Sequence, residues 1–159
     1  MRTKIAEALR SLDIPESEFF PLRQHQYAPI LDHILETFTR FGSHGENQMW
    51  LWEGLKGRAE VLQVEHNNGP DYLAQILSAE ERVWFIAEDW EGNKKSGNFW
   101  IFEGRVAAII SVPNEIHAFE YYLVAKDFSW LICENHHNQM LGIGKPIEER
   151  IHKLCEEMA

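Results

Sequence analysis

From residue 83 to residue 133 the chain repeats one pattern: a short apolar, β-prone run, then a polar break. The runs are 83–87, 99–102, 105–112, 119–125 and 130–133. Asp89 opens a polar turn, Glu103-Gly104 reads as a tight reversal, and Lys126-Asp127 as another turn. Connections this short cannot hold the crossover that parallel neighbours need, so consecutive runs should pair antiparallel in a five-strand meander. Val83-Trp84-Phe85-Ile86 is apolar at every position rather than at alternate ones. Such a strand is buried on both faces. Helices should therefore cover one side of the sheet, and loops or a partner the other.

The remaining segments supply the helices. Ile5, Leu9 and Leu12 share a helical face, and Pro15 disfavours helix at Ile14. Residues 16–20 read as a short turn. Pro29 reads as the start of a helix carrying Ile30, Ile34, Phe38 and Phe41, with Gly42 as its stop. Residues 49–55 and 59–65 read as two further strands. Pro70 suits the first turn of a helix through Leu77, and a last helix from Pro146 aligns Ile147, Ile151, Leu154 and Met158. The expected fold is a single α+β domain over residues 1–159. It has an antiparallel sheet of five C-terminal and two N-terminal strands, packed with N-terminal helices and a C-terminal helix.

Charge narrows the partners. Fifteen Lys and Arg against 25 Asp and Glu give a formal charge of −10. That field repels nucleic acid and anionic membranes and suits a basic protein partner. It also serves solubility in proteins with no such partner. No apolar run is long enough to span a bilayer. Met1-Arg2-Thr3-Lys4 leads into an amphipathic segment rather than a secretory signal, and Cys133 and Cys155 are the only cysteines. A cytoplasmic location is the expectation.

Candidate chemistry concentrates in two places. Glu134-Asn135-His136-His137-Asn138 follows the last apolar run. Histidines at a strand end serve as metal ligands, acid–base groups or turn-capping groups. On an extended chain Glu134 and His136 would point one way, and Asn135 and His137 the other. A zinc site would then need His117, His152, Cys133 or Cys155, at spacings that match no finger or knuckle. No metal or cofactor is expected. Glu88, Asp89, Trp90 and Glu91 form the second cluster, a tryptophan among acids at a polar turn. This suits a protein-binding anchor, because Trp is enriched at interface hot spots. Leu141-Gly142-Ile143-Gly144-Lys145 lacks the glycine spacing and the Ser or Thr of a phosphate loop, and reads as a turn. No serine or cysteine sits in a nucleophile elbow.

The stretch Phe119-Glu120-Tyr121-Tyr122-Leu123-Val124-Ala125-Lys126, then Trp130-Leu131-Ile132-Cys133-Glu134-Asn135-His136-His137 and Gly142-Ile143-Gly144, resembles the C-terminal half of a family of small uncharacterised bacterial α+β proteins. Proteins of this style often accompany polymorphic toxins as immunity proteins. A more distant likeness is to the immunity superfamily related to yeast cell-wall synthesis regulators. The resemblance implies a non-catalytic binding module with a toxin-like basic partner, and it carries no catalytic residues. The binding residues expected are Glu88, Asp89, Trp90, Glu91, Glu134, His136 and His137. The alternatives are a small enzyme or metal-binding protein using Glu134, His136 and His137, and a homo-oligomer whose twin covers the second sheet face.

Overall fold

The computed structural model describes residues 1–48, 50–66, 68–89, 97–116 and 119–159. Its helices are α1 (Arg2–Ser11), α2 (Gln24–Phe38), α3 (Gly69–Ile76), α4 (Val106–Ile109) and α5 (Lys145–Met158). Its strands are β1 (Phe19–Pro21), β2 (Glu60–Gln63), β3 (Arg82–Glu88), β4 (Phe99–Arg105), β5 (Tyr121–Ala125), β6 (Leu131–Glu134) and β7 (Gln139–Ile143). They form one sheet in the order β1-β4-β3-β5-β6-β7-β2, antiparallel at every pairing. The α+β class with an antiparallel sheet is as the pattern predicts.

Both faces of the sheet are buried, as the unbroken apolar character of β3 requires. On one face Val83, Phe85, Tyr121, Leu123 and Ile132 pack with Ile5 of α1, Leu73 of α3, Ile109 of α4 and Ile151 of α5. On the other, Ile86, Ile101, Tyr122, Val124 and Cys133 pack with Leu31, Ile34, Leu35 and Phe38 of α2 and with Leu51. A helix therefore lies on the face that loops or a twin were expected to cover. Helix α2 starts at Gln24, and Pro29 lies inside it. The missed start signal is Gln26, whose side-chain oxygen accepts the Arg23 N–H at 2.9 Å. Along α5, Ile147, Ile151 and Leu154 are buried as expected, while Met158 is exposed.

Four other expectations are corrected. The separate strand expected over 105–112 does not form, because β4 runs on through Glu103-Gly104 to Arg105. Gly104 pairs with Val83 on one side and Phe19 on the other. A Cβ there would stand 3.0 Å from the Glu18 carbonyl oxygen. This glycine serves close strand packing, not a reversal. Val106 and Ile109 then bury themselves at helical spacing. Consequently β3 is flanked by β4 and β5, and the five-strand meander is interrupted. Of the expected turn 16–20, residues 16–18 do turn, but Phe19–Pro21 form an edge strand, and the Leu51–Gly54 part of the expected strand 49–55 is a 3-10 turn.

Residues 139–143 are a strand rather than part of a turn. Gly142 within it lies under α5, where a Cβ would meet Ile151 and come within 3.1 Å of Ile147. Gly144, at φ 106°, breaks the chain and opens α5. Close packing thus accounts for the glycines that resemble a phosphate loop.

Candidate functional site

The ends of β3, β5 and β6 meet at one end of the sheet and bring three glutamates there. Glu88 closes β3, and its N–H donates to the Glu120 carbonyl at 3.2 Å. Tyr121 pairs with Glu134 across β5 and β6. Side chains alternate along strands, so Glu88, Glu120 and Tyr122 face α2, while Tyr121 and Glu134 face the opposite layer.

On the α2 side, two buried carboxylates hold a surface in place. Glu88 is 1% exposed. It accepts the Tyr122 hydroxyl at 2.6 Å and the backbone N–H groups of Trp50 and Leu51, each at 3.3 Å. Asn98 donates from its side chain to the Asn47 carbonyl at 2.7 Å, pinning the same segment from the other end. Trp50 is therefore fixed at φ 58°, a left-handed conformation that a bulky residue rarely adopts, with 38% of its surface exposed. Glu120, also 1% exposed, accepts the Trp52 indole N–H at 2.8 Å and the His136 backbone N–H at 3.2 Å, and bonds His136 Nδ1.

Above these carboxylates the aromatic rings converge. His136 and His137 stand 4.1 Å apart between centroids, with Trp50 5.4 Å from His136 and Trp52 5.7 Å from His137. The histidines lie side by side because residues 135–138 form a turn, not an extended strand. Asn135 Oδ1 accepts the N–H groups of His137 and Gln139, and Asn138 takes φ 57°.

Burial governs the electrostatics. It raises the Glu120 carboxyl above the ordinary range, the His136 hydrogen bond opposes that, and the Glu88 charge adds to it. Burial, then the Glu88 charge, pushes Tyr122 well up. Burial, then the Glu120 charge, does the same to the Cys133 thiol. Cys133 is thus an inert packing group, not a nucleophile.

On the opposite face, Glu134 accepts the Tyr121 hydroxyl. Burial raises its carboxyl, while the Tyr121 hydrogen bond and the His66 charge pull it back. The carboxyl packs directly against Gly69 at the start of α3, where any Cβ would overlap it. A cleft of about 150 Å3 opens here, lined by Tyr121, Glu134, His66, Asn138, Phe119 and Ile116, among others. His136 and Asn135 border it too, so it adjoins the aromatic surface.

The structure divides the expected residues. His136 and His137 come together on the surface. Glu134 lies on the other face, at the cleft. Glu88 and Asp89 are buried, not solvated at a turn; Asp89 is 7% exposed and accepts the Trp100 indole N–H at 2.7 Å. Trp90 and Glu91 lie outside the described residues. Cys133 and Cys155 pack on opposite sides of the sheet, so the two do not meet at one zinc site, and His117 lies outside the described residues. Among the described residues no three His, Cys, Asp or Glu side chains gather as metal ligands, and no helix is long and apolar enough to cross a membrane.

Sequence reasoning passed over Trp50, Trp52, Glu120 and His66. Glu120 left a readable signal, a charge at the head of an apolar strand and two residues from Tyr122. The tryptophans left none, because their register depends on contacts with Glu88 and Glu120, distant in sequence.

The chain belongs to a family of unknown function (DUF6756), whose model matches residues 1–155. No curated protein and no solved structure matches it.

Proposed function

We propose that this member of the family is a non-catalytic protein-binding module that engages a basic partner through Trp50, Trp52, His136 and His137. The observation that carries the reading is the use made of two buried carboxylates. Glu88 holds the backbone of Trp50 and Leu51, and Glu120 holds Trp52 and His136. An aromatic surface fixed in advance loses little freedom on binding. An exposed tryptophan there is a natural anchor. The charge of −10 would steer a basic partner and speed association. A basic toxin, neutralised in the bacterial cytoplasm by this chain as its immunity protein, fits that description.

The test is capture of a partner from the native host with wild-type protein and with Trp50→Ala, followed by binding kinetics. Trp50 makes its bonds to Glu88 through the backbone, so the variant keeps them. Dissociation should quicken by about thirtyfold or more, the level of a hot-spot residue. Added salt should slow association. A partner bound equally well by the variant would refute this surface.

One observation favours a second reading, as a small enzyme. A histidine whose Nδ1 is held by a buried carboxylate is oriented to act through Nε2 as a general base on water. Turnover of a small molecule that His136→Ala abolishes, with no protein partner recovered, would promote it. The homo-oligomer reading loses its motive, since α2 covers the second sheet face.

A further inference from the structure

We propose that the cleft beside Glu134 receives a lysine or arginine side chain of the basic partner, with its cationic head against the Glu134 carboxylate. This rests on the protein-binding reading and adds a specificity pocket to it. Three features of the cleft point there. Its volume of about 150 Å3 is well below the roughly 300 to 1,000 Å3 of sites for drug-sized ligands, and suits one side chain. Its walls include Phe119, Ile116 and Pro70, which can cover the alkyl stem of a long basic residue. Its lining includes the Glu134 carboxylate, which accepts the neutral Tyr121 hydroxyl. A partly desolvated carboxylate gains Coulomb attraction from an arriving cation, which a tyrosine hydroxyl does not supply. The chain's acidic balance favours the same occupant. Through His136 the cleft borders the aromatic surface, so one partner could fill the cleft while packing on Trp50.

The probe is n-butylguanidinium, a mimic of the arginine tip, titrated into the isolated full chain at pH 7.5 and followed by NMR. Butanol and butyrate serve as neutral and anionic controls. Saturable shifts at Ile116, Phe119 and Asn138 are expected, with a dissociation constant of about 1 mM, as suits so small a ligand. Glu134→Gln keeps an oxygen for Tyr121 and should weaken the probe about tenfold or more, while leaving butanol unchanged. Asn114→Arg, an exposed change at the cleft that leaves the core intact, should weaken the probe as well by like charge.

Diffuse shifts that Glu134→Gln does not alter would overturn the proposal, as would tighter binding of butyrate. The two readings fail separately. A captured partner that depends on Trp50 and is indifferent to Glu134 sinks the cleft and leaves the binding module. Glu134-dependent probe binding with no protein partner sinks both the module and the assignment of the cleft to a partner's side chain.

Discussion

Gly69 and Glu134 are 65 positions apart, yet the structure couples them through one contact. A Cβ at residue 69 would overlap both carboxyl oxygens of Glu134. In Gly69→Ala the carboxyl must therefore move, and it takes the Tyr121 hydrogen bond with it. Tyr121 is 2% exposed, so its hydroxyl would be left in a buried place. A hydrogen bond to a charged group contributes about 1.5–3 kcal/mol. Alanine in place of glycine in a helix returns at most about 1 kcal/mol, and less in the first turn. The net loss should be about 1–3 kcal/mol. At about 2–4 °C per kcal/mol for a chain of this size, the melting temperature falls by about 2–12 °C. The informative measurement is a double-mutant cycle by urea unfolding, with tryptophan fluorescence as the signal and unchanged slope as the check. In a Glu134→Ala background there is no carboxyl to displace, so Gly69→Ala should be neutral or slightly stabilising. The coupling should then be about 1–3 kcal/mol, well beyond the roughly 0.3–0.5 kcal/mol error of additivity. An equal cost for Gly69→Ala in both backgrounds would refute the reasoning, and would place the cause in the backbone of residue 69.

Two further outcomes follow from the buried carboxylates on the other face. Glu88→Ala removes the acceptor of Tyr122 and of two backbone N–H groups, and should cost about 3 kcal/mol or more by denaturant unfolding. Glu88→Gln, which retains one acceptor oxygen, should cost less; a loss under about 0.5 kcal/mol for the alanine variant would contradict the hydrogen-bond assignment. For Glu120 the sign runs the other way. Its folded pKa is raised above the ordinary 4.5, so the folded state binds its proton more tightly than the unfolded state does. The resulting stabilisation is fully present below pH 4.5 and is lost as pH rises through the raised value. Wild type should therefore lose stability relative to Glu120→Gln over that window. The difference between the two unfolding curves isolates Glu120 from Glu134, which titrates with the same sign.

Particular residues show how far a sequence can be read here. The helical spacing of Ile147, Ile151 and Leu154 and the unbroken apolar run of β3 are local signals, and they placed α5 and the doubly buried sheet. Gly104 misled because a glycine needed for close packing between two strands looks, in one dimension, like a glycine needed for a turn. Gly142 misleads in the same way: residues 141–145 read as a turn, yet residues 139–143 form β7. At the site, His136 and His137 were legible as unusual side chains at a strand end. Their partners were not. Whether Glu88 faces solvent or protein depends on the Trp50 segment, which lies 38 positions away in the chain. Glu88 and Asp89, which read as the edge of a polar turn, are buried here by residues that share no pattern with them.

The buried acids also bear on why the sheet end has this composition at all. A desolvated carboxylate is costly, and apolar residues of similar volume often serve stability as well or better. Glu88 and Glu120 nonetheless stand side by side under one surface, each raising the cost of charging a neighbour: Glu88 acts on Glu120, and Glu120 on Cys133. Both acids direct their oxygens outward, to the loop bearing Trp50 and Trp52 and to the turn bearing His136. The left-handed backbone at Trp50 adds a strain of about 1–3 kcal/mol. A core selected for stability alone has no use for either feature. A surface that must meet a partner in one fixed shape has use for both, because the ordering is then complete before the partner arrives. The same logic separates the two acids by their expected effect on binding. Loosening the Trp50 segment through Glu88→Gln should weaken binding even though residue 88 is buried beneath the surface. A surface that functioned without preorganisation would tolerate that change as long as the fold survived.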